Sequence, residues 1–285
     1  MEKRTLGKTK EQLSILGFGG ILVMNEPQDT ANQLVGEAVD RGINYFDVAP
    51  TYGNAEERLG PALQPYRKKV FLACKTVQRT REGAEKELNA SLKRLKTDYF
   101  DLYQVHGLAN MEESKQTLGP GGALETYVKA KEKGLIRHIG FSVHDIESAL
   151  YAIEQFNFET VLFPVNFINY YSGKFGPQIR DAAVKKNMGL LALKSMAKTK
   201  WPEGTKEHPY KKCWYEPIQD PKLASLALRF TLSEPITALL PPGEQSLYRI
   251  ALDFLDKGVA PLVEEERALL IDMAKAYQPI FQHAA

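Results

Sequence analysis

Eight short apolar runs alternate with longer amphipathic stretches along this chain, and that alternation restricts its fold more than any other feature. In order the runs read LSILGF, INYFDV, VFLACK, YFDLYQVH, IRHIGFS, TVLFPVN, MGLLALK and ITALLP. Each is short and rich in leucine, β-branched or aromatic residues, as a buried strand is. Between them, segments such as Ala31–Arg41, Glu82–Leu95, Leu124–Lys133, Ile146–Phe156 and Ile179–Lys186 carry apolar residues at helical spacing and charges on the other face. Strand, helix, strand implies parallel pairing through right-handed crossovers. Eight such units predict an α/β fold, a closed (β/α)8 TIM barrel, over an open sheet. Arg41-Gly42, Lys133-Gly134 and Lys257-Gly258 fall where helices must stop, since glycine accepts the left-handed cap conformation.

Length alone, 285 residues, leaves one domain or two open. No Ser/Gly/Pro linker or change of composition divides the chain, so residues 1–285 are expected to form a single barrel domain. Gly107–Gly122 and Lys198–Pro221 are polar, contain Gly and Pro, and read as long βα loops. Loops of that length in a compact domain are commonly lids or pocket walls. The second holds Trp201, Tyr210, Trp214 and Tyr215, which either line a pocket or pack the loop on the rim.

Thirty-seven basic and 35 acidic residues give a formal charge of +2, with 44% hydrophobic residues. That is the composition of a globular protein with an ample core, and it lacks the basic footprint of a nucleic-acid binder. Cys74 and Cys213 are far apart and belong to no Cys/His cluster, so neither a disulfide framework nor a metal site is expected. No apolar run reaches membrane-spanning length and the N-terminal segment has no uninterrupted apolar stretch. A cytoplasmic protein is expected, without nucleic-acid or membrane partners, and a monomer by default.

In a barrel the carboxyl ends of the strands face one mouth, and here those ends are polar. The second predicted strand finishes on Asp47, with Tyr52 five residues on; the third ends on Lys75, the fourth on His106, the fifth on Ser142, the sixth on Asn166, and the seventh on Lys194-Ser195. A phenol titrates near pH 10, too high for efficient proton exchange at neutrality, and an adjacent ammonium lowers it. Lys75 can play that part, Asp47 can hold the lysine charged, and His106 can orient a carbonyl oxygen. Singly, each has a plainer role: a turn or cap aspartate, a structural histidine, a rim lysine. Together they suit reversible protonation of a carbonyl or alcohol oxygen.

At these residues the sequence resembles the aldo/keto reductase family. NYFDVAPTYGNAEERLG is similar to the family's strand-two signature, VFLACKT to its lysine segment, DLYQVHGL to its histidine segment and KGLIRHIGFSVH to its G-x-I-R-x-I-G-x-S stretch, in the same order. The resemblance runs from RTLGKT and LGFGG to about Asp253. It implies NAD(P)H-dependent reduction of an aldehyde or ketone by direct hydride transfer, with no metal, and with Asp47, Tyr52, Lys75 and His106 as the catalytic set. It further implies cofactor contacts at Gly20, Asp47, Ser142, Asn166, Leu193, Lys194, Ser195, Met196, Pro242 and Gly243. The substrate is expected to meet Tyr52 and His106, with Trp201 and Trp214 as an aromatic wall. No charged cluster names an acidic substrate.

No GxGxxG follows a strand, and the glycines of LGPGGALETY lack the Gly-Lys-Ser/Thr of a P-loop. Pro242-Gly243, ahead of a helix beginning near Glu244, is the better anion site, because helix N-termini after the last barrel strands commonly hold phosphate. Against better-known members, Val143 replaces Asn, Phe163 stands where Gln is common, Leu193 replaces a stacking aromatic, and Gly243-Glu244 replaces Lys-Ser. These departures resemble a less-studied bacterial branch, and the two cysteines rule out the C-terminal iron–sulfur extension of some of its members. With Arg249 and Lys194 as candidate cations for a 2′-phosphate, the expectation leans to NADP(H) over NAD(H). Two alternatives stand beside the reductase: a catalytically quiet nicotinamide-binding sensor or partner subunit, motivated by Val143, Phe163 and Leu193, and a Schiff-base aldolase using Lys75 or Lys194.

Overall fold

The computed structural model describes residues 1–205 and 207–283. Ahead of the barrel, β1 (Lys3–Thr5) and β2 (Gln12–Ser14) form a hairpin. Seven strands then follow in one parallel sheet: β3 (Phe18–Gly19), β4 (Tyr45–Asp47), β5 (Phe71–Thr76), β6 (Phe100–Leu108), β7 (Ile136–Val143), β8 (Thr160–Pro164) and β9 (Gly189–Leu193). A short antiparallel ribbon, β10 (Ala197–Lys200) with β11 (Tyr215–Pro217), precedes the eighth barrel strand, β12 (Ala238–Leu240). Each barrel strand pairs in parallel with the next. A bridge from Leu16 to Leu239, with Gly17 N donating to Leu239 O at 2.9 Å, closes the first strand on the last. The eight predicted runs are thus β3 to β9 and β12, and the architecture is the expected (β/α)8 barrel.

The outer layer consists of α1 (Gln28–Asp40), α2 (Ala55–Leu63), α3 (Arg81–Arg94), α4 (Met111–Leu118), α5 (Ala123–Glu132), α6 (Ile146–Gln155), α7 (Phe167–Tyr171), α8 (Pro177–Lys185), α9 (Pro221–Ser233), α10 (Gln245–Leu255) and α11 (Glu264–Ala274). The glycines expected to stop helices do so with φ of 85° at Gly42, 74° at Gly134 and 88° at Gly258. One expected loop is corrected. Gly107–Gly122 contains α4, nucleated by Asn110, whose side chain accepts from Glu113 N at 2.9 Å. Asn-x-x-Glu is an N-terminal capping signal that the polar composition masked. The second long loop, Lys198–Pro221, is likewise held at both ends by the β10–β11 ribbon.

Side chains alternate across each strand, and the core divides accordingly. Tyr45, Phe71, Ala73, Leu102, Leu162, Leu191, Ala238 and Leu240 fill the barrel, while Phe46, Cys74, Tyr103, Val105, Phe141, Val143 and Phe163 pack outward under the helices. The interior is full: a Cβ added at Gly140 would press on Thr160 Oγ1 and on Leu102 Cδ1. Gly140→Ala is therefore expected to destabilise the fold by about 1–3 kcal/mol through overpacking, read as a lowered urea midpoint at unchanged slope; an unchanged midpoint would show that the interior has slack.

Candidate active site

The same alternation that fills the barrel with Tyr45, Ala73 and Leu102 turns the residues two positions further on, Asp47, Lys75 and Gln104, into the barrel at its carboxyl end. His106 follows Gln104 by two more residues, and Ser142 follows the crowded Gly140 in the same way. Tyr52 comes from the turn between β4 and α2. Asp47, Tyr52, Lys75, His106 and Ser142 all line one cavity of about 260 Å³, walled further by Leu162, Leu193, Lys194, Trp214, Tyr215, Pro242 and Gly243. Five polar residues scattered between positions 47 and 142 therefore meet in one place.

At the base of the cavity Lys75 Nζ, buried, donates to the buried Asp47 Oδ1. The other carboxylate oxygen, Oδ2, accepts from Gln104 Nε2 at 3.1 Å and from Tyr45 OH at 3.4 Å. Burial pulls the Lys75 ammonium toward neutrality, but Asp47 and then Tyr52 outweigh it and hold the group charged, above its ordinary range. The Lys75 ammonium lies 5.1 Å from the centre of the Tyr52 ring. The Tyr52 ring meets His106 edge to face at 5.9 Å. Burial raises the phenol's pKa, Lys75 lowers it, and Asp47 raises it; the net shift is upward. The expectation that Lys75 would bring the phenol below its usual value is thus corrected, because removal from water outweighs the neighbouring charge. Tyr52 keeps its proton at neutral pH. Burial, with Lys75, His144 and Arg79 adding to it, lowers His106 to about 2. Its imidazole is neutral, able to donate from one ring nitrogen and accept at the other.

Other expected contacts divide. Gly20 opens a 3-10 turn, Gly20–Val23, and leaves its neighbours Gly19 and Ile21 to line the cavity. Asn166 does not reach it: its side chain caps α7 by accepting from Asn169 N at 2.9 Å and donates to Lys194 O at 3.2 Å. Met196 is buried, and Ser195 Oγ is buried without a partner. Trp201 serves its own loop, donating to Cys213 O at 3.0 Å and stacking on His208 at 4.2 Å. Trp214 does line the mouth and is half exposed. The departures at Val143 and Phe163 point outward into the helical layer, and the inward residue on β8 is Leu162. Arg249 is engaged by Glu37 at 2.7 Å, and Glu244 turns to accept from Lys212 N at 2.6 Å.

Several lining residues escaped the sequence, among them His144, Lys212, Leu162 and Pro241. Leu162 could be found by counting in twos from β8; Lys212 could not, since it reaches across the mouth to Leu22 O and Glu26, each at 2.9 Å. The C-terminal segment also arrives unannounced: Phe281 stacks on His144 at 5.0 Å and meets Trp214 at 5.9 Å. Among the described residues, no helix is long and apolar enough to cross a membrane.

With this geometry in place, comparison with known proteins is direct. The model of the Aldo/keto reductase family matches residues 16–266. The uncharacterized oxidoreductase YqkF of Bacillus subtilis is 25% identical across 93% of this chain and 94% of its own. The L-galactose dehydrogenase of Arabidopsis thaliana is 30% identical over 60% of this chain and 57% of its own. Among solved structures, an aldo-keto reductase from Bacillus halodurans in its holo form superposes with a TM-score of 0.74 at 22% identity, covering 97% of both chains.

Two partly buried histidines give this site a pH signature. His106 is lowered to about 2, and His144 to about 4 by burial together with Lys194 and Lys75. Below the ordinary histidine value near 6.5 the unfolded chain takes up protons that the folded one does not, so their contribution to stability is present above that pH and lost as pH falls through it. Each is expected to cost up to about 1.4 kcal/mol per pH unit between pH 6.5 and 5. Urea titrations across that window should show the slope reduced in His106→Asn; an identical slope would place the charge uptake elsewhere.

Proposed function

The chain belongs to the aldo/keto reductase family, and on that premise we propose that it reduces an aldehyde or ketone to an alcohol with a nicotinamide dinucleotide, Tyr52 being the proton donor. The observation that carries this reading is the convergence of a protonated Tyr52 phenol, a charged Lys75 paired to Asp47, and a neutral His106 in one cavity. His106 can donate a hydrogen bond to a carbonyl oxygen and orient it toward the phenol. Tyr52 then passes its proton to that oxygen as negative charge develops there, and the Lys75 ammonium stabilises the phenolate left behind. Asp47 keeps Lys75 charged throughout.

The residues around the cavity also fit a dinucleotide. Gly243 lies so close to Ile21 that no Cβ could be accommodated, and the N-terminus of α10 has no side-chain cap, leaving backbone N–H groups for phosphate. Pro242, Gly243, Ser142 and Leu193 line the same cavity. A bound nicotinamide dinucleotide supplies hydride to the carbonyl carbon. With Arg249 held by Glu37, the lean toward NADP(H) over NAD(H) loses one of its two candidate cations.

The competing readings weaken on particular residues. A Schiff-base lysine must be neutral to attack: Asp47 holds Lys75 charged, and Lys194, lowered by burial to about 8, is still mostly charged at neutral pH. A catalytically quiet sensor drew on Val143, Phe163 and Leu193, and two of these face away from the cavity. Consumption of NADPH or NADH with a panel of carbonyl compounds tests the proposal. Tyr52→Phe is expected to lower kcat by about 10²–10⁴-fold with cofactor affinity retained; loss of only a minor share of activity would remove Tyr52 from its role.

A further inference from the structure

The charges lining the cavity do not balance. Asp47 is the one carboxylate on its wall among the described residues, and Lys75, Gln104 and Tyr45 already occupy it. His106 and His144 are neutral. Lys212 is answered by Glu26 at 2.9 Å. Lys194 has no such answer: it pairs with no carboxylate among the described residues, and its ammonium lies instead over the rings of Tyr215, at 4.6 Å, and Trp214, at 5.2 Å.

The placement of this lysine is specific. It follows the last residue of β9 directly and takes a φ of 67°, a left-handed conformation that few residues with a side chain adopt. Two aromatic faces shield the amine from water without supplying a counter-charge. Burial lowers it to about 8, so that most of it is still charged at neutral pH. Its field acts on both Lys75 and His144, which sets it on the catalytic side of the cavity. On the same cavity wall, the uncapped end of α10 and Gly243 offer phosphate backbone N–H groups that do not require the lysine.

We propose that the carbonyl substrate carries a carboxylate, which pairs with Lys194 on the Trp214–Tyr215 wall while the reacting carbonyl lies at Tyr52 and His106. The substrate class is accordingly an oxo- or formyl-carboxylic acid whose apolar part packs on the two rings. This rests on the reductase reading and narrows it.

The test compares 4-carboxybenzaldehyde with its methyl ester, which present the same aldehyde with and without the charge. Wild-type protein is expected to favour the acid by about tenfold in kcat/KM, chiefly through KM. In Lys194→Met the ratio should fall to near one, and Lys194→Arg should restore most of it. A wild-type ratio near one overturns the proposal. So does a ratio unchanged in Lys194→Met while the cofactor Kd, read by fluorescence titration, rises, because the ammonium then serves a dinucleotide phosphate. The reductase reading is judged separately on the wider carbonyl panel; if neither of these two aldehydes is reduced, calorimetric titration of the protein with terephthalate decides the anion site: binding that Lys194→Met abolishes supports it, and no binding overturns it.

Discussion

The ion pair between Lys75 and Asp47 is the interaction on which the rest of the site depends. Both groups are buried at the mouth of the barrel. Removing two charges from water costs several kcal/mol each, and only close pairing with the remaining lone pairs satisfied offsets it. The structure meets that condition: β4 and β5 pair with Asp47 opposite Ala73, so Lys75, two residues on, faces inward one step along from the carboxylate, and Gln104 and Tyr45 complete the carboxylate's hydrogen bonds. A barrel interior filled by Tyr45, Ala73, Leu102 and Leu162 excludes water from below. The ammonium that results is fixed, desolvated and beside a phenol. On the proposed function, such a charge needs no reorganisation when negative charge develops on Tyr52.

Much of this was legible in the sequence because it follows from period. Eight runs alternating with amphipathic stretches admit few architectures, and the barrel obliges strand ends to converge, so Asp47, Lys75 and His106 could be brought together from their positions alone. Legibility failed where the period was miscounted or where no period exists. Phe163 stands where a Gln is common in better-known relatives, yet the pleat turns Leu162 inward and Phe163 out. A slip of one residue in a strand exchanges core for site. Asn166 was read as a strand-end contact, yet its amide is engaged in capping α7. The polar stretch holding α4 concealed a capping signal at Asn110 and Glu113.

The mouth loops escaped for a different reason. Lys212 bridges to Leu22 and Glu26 from nearly 190 positions away, and Phe281 reaches the rim from the far end of the chain. Contacts of that separation are set by the barrel's closure and carry no local pattern. The balance of charge in the cavity was hidden in the same way. Sequence alone offers no cluster to suggest an acidic ligand, and Lys194 stands out only once every carboxylate near the cavity is seen to be engaged elsewhere.

The central claim is that the charged Lys75, held by Asp47, faces a Tyr52 that remains protonated in the resting protein because burial outweighs the ammonium's pull. Ultraviolet difference titration of the wild-type protein against Tyr52→Phe, from pH 6 to about 10, follows that single phenol by its tyrosinate absorbance. The account predicts no Tyr52 tyrosinate over this range. A tyrosinate signal appearing near neutral pH and absent from Tyr52→Phe would contradict it.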